Sequence, residues 1–225
     1  MSIHSKILVH WTGKDIENSL DNVKAKKYVE RLKDYYENGL FSKRTKEAVI
    51  RKKLIKNLVR ICFTEIRLSQ SQTHAKRYGK LGIGFTRDFI MNKGGRPVIY
   101  IPYEADTCLL EDSIRNAYDK SKGIDEIQKP LKWLLAYVKR MSDRNGEYYE
   151  EMEWRLVYDE SPDNKHFTNG EANGIHRVKF KASDIKIIIF PDEETKHMSF
   201  NDESIKGFFS QHTPIIVTLE DCDNF

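Results

Sequence analysis

Long apolar runs are missing from this 225-residue chain, and no segment is long enough to cross a bilayer. The opening MSIHSKILVHWTG has too short an apolar run for a signal peptide. Cysteine is scarce as well. Cys62, Cys108 and Cys222 lie far apart, their number is odd, and no CxxC occurs. That pattern excludes a disulfide framework and a thiolate zinc site, and a reducing, cytoplasmic setting follows. The histidines form no HxxxH pair and no EF-hand loop is present, so no metal is expected. Neither sign of charge dominates: 38 Lys and Arg stand against 34 Asp and Glu, for a net charge of +4. A balance that mild does not by itself imply a nucleic-acid partner. Repeats and low-complexity segments are absent.

What is present suffices for a real core, with 39% hydrophobic residues. KILVHW (6–11) predicts a first strand, broken by Thr12-Gly13. NVKAKKYVERLKDYYENGL predicts a helix with Val23, Leu32, Tyr35 and Tyr36 near one face and Gly39 as its C-cap. A second helix is expected from about Lys43 to Asn57, and VRICFTEI (59–66) is expected to be a strand. Gly79, Gly82 and Gly84 in YGKLGIGFTRDF mark a tight turn into a strand, or a close backbone approach. That run meets neither GxxxxGK[ST] nor GxGxxG, so it is not a phosphate loop. GGRPVIYIPY predicts a turn and a buried strand, and 107–121 a helix. KPLKWLLAYVKRMSDRNG predicts a helix with Pro130 in its first turn and a stripe of Trp133, Leu134, Tyr137, Val138 and Met141. Residues 159–174 form a polar loop. IHRVKF, IKIIIF and TPIIVTL supply further strands. With helices mostly in the first half and strands throughout, the expectation is a single α+β domain over 1–225 with a mixed or antiparallel sheet.

Two stretches carry candidate chemistry. Between Lys43 and Arg60 lie eight cations and one carboxylate, Glu47. Such a helix is either a solvated face or a phosphate-binding face, with Lys52, Lys53 and Lys56 as its contacts. The second stretch is EMEWRLVY (151–158). Its alternation places Met152, Trp154, Leu156 and Tyr158 on one side of a strand and Glu151, Glu153 and Arg155 on the other. The charged side is either wet or lines a site. His10 at the end of one apolar strand, and Thr64 and Glu65 inside another, favour a site. His10, Thr64 and Glu153 are expected to converge on one cleft.

These residues carry two resemblances. LVHWTG is similar to the first-strand motif of poly(ADP-ribose) polymerase-like ADP-ribosyltransferases, YGKLGIGF to their glycine strand, and EMEWRLVY to their final catalytic strand. This resemblance implies an ADP-ribosyltransferase-like fold with NAD as substrate. His10 and Thr12 would hold the ribose and the nicotinamide amide, and Glu153 would stabilise the oxocarbenium-like transition state. Glu151 would orient or deprotonate the acceptor, and Arg155 would hold the pyrophosphate or pair Glu153. Where that family stacks an aromatic on nicotinamide this chain has Gly84, so Phe85, Phe63 or Tyr78 would substitute. Over residues 7–158 the chain resembles more closely the bacterial AbiGi-type proteins of phage abortive infection. The shared pattern is HWT, CFTEI, YGK-GIGF, RPV and E-EWR in that order. That resemblance implies a phage-defence or toxin–antitoxin setting with a cognate toxin or antitoxin as partner. Three functions follow as expectations: an NAD-dependent transferase acting on an unknown acceptor, a nucleic acid among the candidates; a non-enzymatic antitoxin or sensor; and, from the acidic FPDEETK, a metal-dependent nuclease.

Overall fold

The computed structural model describes residues 6–50, 53–65, 67–101, 109–143, 146–158, 166–168 and 175–224. The chain opens with β1 (Ile7–Thr12), α1 (Asp21–Asn38), β2 (Leu40–Phe41), β3 (Lys43–Ile50) and β4 (Lys53–Thr64). Next come α2 (Ser71–Tyr78), β5 (Leu81–Thr86), α3 (Arg87–Asn92), β6 (Arg96–Pro97) and β7 (Ile99–Ile101). The middle holds α4 (Leu109–Lys120), α5 (Asp125–Leu135), β8 (Val138–Arg140), β9 (Ser142–Asp143), β10 (Gly146–Glu147) and β11 (Glu153–Val157). The last part carries β12 (Arg177–Val178), β13 (Ile185–Phe190), α6 (Glu193–Asn201), α7 (Glu203–Gln211), β14 (Ile215–Thr218) and α8 (Leu219–Cys222). The fold is α+β. Helices close the chain as well as open it, against the expectation that they gather in its first half. No helix among the described residues is long and apolar enough to cross a membrane.

An eight-stranded mixed sheet runs β14-β13-β5-β1-β4-β11-β6, with β3 also paired to β4. The one parallel ladder in it joins β13 to β14, and the others are antiparallel. One face carries Leu8, Ile83, Phe85, Ile61, Phe63, Trp154 and Leu156, in one buried cluster with Tyr28, Leu32 and Tyr35 of α1. The buried positions of α1, from Ala25 through Tyr28, Val29 and Leu32 to Tyr35, recur every three or four residues as a single helix face requires. Leu32 is fully buried, and a side chain of that kind contributes about 1.5–3 kcal/mol. On the other face Val9, Trp11, Ile187, Ile189 and Val217 pack with Ala75 of α2 and with Leu219 and Cys222 of α8. There Gly82 and Gly84 admit their neighbours. A Cβ on Gly84 would lie 2.4 Å from Ile187 Cγ2, so the close approach expected of these glycines is what they provide.

Three expectations fail. The predicted helix over 43–57 is instead the β3–β4 hairpin, with Lys53 and Lys56 in β4 and Lys52 outside the described residues. Ile50, Leu54 and Leu58 fit a helical period, but the segment continues directly into the strand that β11 pairs, and strand pairing overrides a local period. The helix expected from Lys129 starts instead at Asp125 and ends at Leu135, so Pro130 lies in its interior. Leu134 is 67% exposed rather than part of a buried stripe, and Val138 opens β8. EMEWRLVY is a strand only from Glu153. Glu151 ends a 3-10 turn, and Met152 has φ of 43° and is exposed, not buried.

Candidate functional site

The sheet forks at its centre. β1 meets β4 at one register position, Val9↔Thr64, and then diverges. β3 takes up the same edge of β4 only from Lys43↔Arg60 outward. Residues 61–63 of β4 therefore have a ladder partner on the β11 side and an open edge on the other. Buried backbone groups require partners. The Cys62 carbonyl has one in His10 Nδ1, at 2.8 Å, which places the ring proton on Nδ1. The Tyr35 hydroxyl bridges His10 Nε2 at 3.3 Å and Thr12 Oγ1 at 3.0 Å, and Arg31 donates to the same Thr12 oxygen at 2.9 Å. Burial pushes the Tyr35 phenol up to about 12, so it stays protonated.

The fork opens into a cleft of about 270 Å³. His10 and Thr12 line it from β1, Cys62 and Thr64 from β4, Tyr78 from the end of α2, and Lys139, Glu151 and Glu153 from its far wall. Gly79 makes this assembly possible. It ends α2 at φ of 115°, and a Cβ there would sit 2.3 Å from the Thr12 carbonyl oxygen, so only glycine lets α2 abut the end of β1. By strand register His10 and Glu153 belong to opposite faces of the sheet: His10 pairs with Ile83, whereas Glu153 pairs with Thr64, which pairs with Val9. They share a cleft because the cleft passes through the fork.

Glu151 and Glu153 are 2% and 4% exposed, and both are engaged by cations. Lys139 Nζ donates to Glu151 Oε2 at 2.8 Å and to Glu153 Oε2 at 2.7 Å. Arg155, fully buried, donates from Nε to Glu153 Oε1 at 2.7 Å and from Nη1 to the Ala136 carbonyl at 2.6 Å. Arg77 donates to Glu151 Oε1 at 2.6 Å, and the Tyr78 hydroxyl bonds the same oxygen. The Glu153 N–H donates to the Tyr100 hydroxyl at 2.8 Å. Burial alone would raise the Glu153 carboxyl, but Arg155 and Lys139 outweigh it and hold the group well below the usual carboxylate range. Burial likewise opposes the charge on Lys139, and the two carboxylates overcome it and raise its pKa. Burial first, and then the Glu153 charge, push the Cys62 thiol up to about 12, so it is no thiolate nucleophile near neutrality. The arrangement holds fixed, mutually neutralised charges rather than a group poised to exchange a proton.

The structure places His10, Thr12, Thr64, Tyr78, Glu151 and Glu153 along one cleft, with His10 and Glu153 on opposite faces of the sheet, a placement that counts against the expected transferase geometry. It does not bring Phe63 and Phe85 there. Both are fully buried in the core, edge to face with ring centroids 6.1 Å apart, because odd positions of β4 and β5 face α1. Arg155 lies behind the cleft wall and pairs Glu153. Glu65 is explained by partners on the core side: Arg87 bonds its Oε1, and Trp154 Nε1 donates to its Oε2 at 2.9 Å. The acidic FPDEETK serves helix capping, with Asp192 accepting the Thr195 N–H at 2.8 Å. Sequence reasoning missed Lys139, Arg77, Tyr35 and Tyr100. Lys139 sat in an expected helix, and nothing local marks a lysine whose partners lie 12 and 14 residues away in another element.

A family model described as "Putative abortive phage resistance protein AbiGi, antitoxin" matches residues 32–191. That span contains the Tyr78, Lys139, Glu151 and Glu153 part of the cleft, with Arg155 behind it, and begins after His10 and Thr12. Neither a curated protein nor a solved structure gives a match.

Proposed function

The chain belongs to the AbiGi family of abortive phage resistance proteins, and from that premise we propose that it acts as a non-enzymatic antitoxin, restraining a cognate toxin by direct binding. The observation that carries this reading is the state of the cleft's two carboxylates. Each is buried and already engaged by cations. Such a network organises a surface more readily than it moves protons. The test is co-expression with the product of the adjacent gene. Growth arrest by that product alone, relieved by this chain, with the two proteins co-eluting after purification, is the expected result. Relief without any complex, or a complex without relief, overturns it.

A second reading is favoured by the convergence of His10, Thr12, Tyr78 and Glu153 on one cleft. In it the cleft takes NAD, His10 and Thr12 hold it, and Glu153 stabilises charge developing on the ribose as nicotinamide leaves. Glu153 would have to exchange its bonds with Lys139 and Arg155 for a bond to a ribose hydroxyl. Release of nicotinamide from NAD by the purified chain, lost in Glu153→Gln with the fold retained, would place this reading ahead of the first.

A further inference from the structure

We propose that the β3–β4 hairpin is an arm that binds double-stranded DNA, laying its two strands in the major groove. This inference does not rest on the antitoxin reading, and its surface meets the cleft at Arg60.

The first ground is charge segregation. Residues 43–60 carry eight cations and one carboxylate, an excess of seven positive charges in a chain whose net charge is +4. Everything outside the hairpin is therefore net acidic by three. Asymmetry of this kind marks a polyanion-binding segment where overall charge does not. The second ground is shape. β3 and β4 pair from Lys43↔Arg60 out to Ile50↔Lys53. The ladder of β11 on β4 ends at Val157↔Arg60 and that of β1 lies at Thr64. Among the described residues, then, the ladder from Lys53 to Leu58 is with β3, a two-stranded ribbon whose β3 strand also lies close to β8. Eight residues at about 3.3 Å each make it roughly 26 Å long, with strands about 4.8 Å apart. The B-DNA major groove, about 12 Å wide, admits a two-stranded ribbon. The major groove of duplex RNA is too narrow and deep for it. The third ground is distribution. Lys43, Arg44 and Lys46 lie on β3, and Lys53, Lys56 and Arg60 on β4. Cations spread along both strands suit a repeating backbone charge better than one acidic spot on a protein.

The experiment uses the full chain and fluorescence anisotropy with a 20-base-pair duplex DNA of mixed sequence. The same sequence as duplex RNA and a polyglutamate of equal charge serve as competitors, from 50 to 200 mM KCl. Micromolar binding to DNA is expected at the lowest salt, weakening linearly on a log–log scale. The variant Lys52→Gln/Lys53→Gln/Lys56→Gln should lower that slope by about 2.7, three phosphate contacts at about 0.9 each. A thermal melt checks its fold. Should the triple variant melt early, Lys53→Gln and Lys56→Gln singly are read the same way, each lowering the slope by about 0.9. Absence of DNA binding at 50 mM KCl overturns the proposal. So does competition by polyglutamate or duplex RNA equal to that of DNA, or an unchanged slope in the folded variants.

Discussion

Glu153 has each oxygen on a cation, and Lys139 holds two carboxylates at once. Removing the shared cation leaves both carboxylates under-compensated in the interior, so Lys139→Met should cost about 3–5 kcal/mol in urea unfolding. The pH dependence follows from the direction of the Glu153 shift. Its folded-state pKa is depressed, so its contribution is fully present above the unfolded value of about 4.3 and is lost as pH falls below it. Unfolding free energies measured at pH 7, 4 and 3 should fall steeply over the last two for the parent, and less steeply for Glu153→Gln. A slope that is the same for both would remove Glu153 from the account. Trp154 faces the other way, buried in the core with its indole N–H on Glu65. Trp154→Ala should therefore lose about 3–5 kcal/mol while leaving the cleft's chemistry alone.

At the scale of elements, the join of α2 to β1 depends on one residue. Gly79 combines a positive φ with backbone atoms where a Cβ would be, whereas Gly123 has a positive φ of 84° and open space around it. Gly123→Ala should cost about 1–2 kcal/mol from backbone conformation alone. Gly79→Ala adds a collision with the Thr12 carbonyl and should cost at least about 3 kcal/mol. Equal melting shifts for the two variants would show that α2 does not need to abut β1. The comparison matters for the site, because Arg77 and Tyr78 reach Glu151 from that last turn of α2.

For the whole molecule the decisive quantity is linkage. A toxin that binds the folded chain must stabilise it, by about 2.7 kcal/mol when its free concentration is a hundred times its dissociation constant. Titrating the purified partner should raise the melting temperature of this chain in a concentration-dependent way. NAD at millimolar concentration should leave it unmoved under the antitoxin reading, and a rise with NAD would favour the transferase reading. The hairpin arm and the fork cleft predict separable losses. Lysine-to-glutamine changes on the arm should leave toxin binding intact, and Lys139→Met should leave the salt slope of DNA binding intact in whatever fraction remains folded.

The sequence by itself determined the elements whose cause is local. The first strand, expected over 6–11 and found over Ile7–Thr12, the helix closed by Gly39 and the strand IKIIIF follow from period and punctuation. So did the close approach at Gly82 and Gly84, because glycine there has a backbone meaning wherever the chain goes. Motif order over 7–158 was enough to indicate the AbiGi family. Tertiary structure decided the rest. Residues 43–57 satisfy a helical period and became a hairpin because β4 is held by β11, a partner about ninety residues away. Phe63 and Phe85 looked available for stacking and were drawn into the core by the pleat. The alternation of EMEWRLVY predicted one charged side, but not that Lys139, Arg77 and Arg155 would neutralise it in the interior. A hydrophobic period is written along the chain, whereas an ion-pair partner and a fork in a sheet are set by which distant segments come to lie side by side.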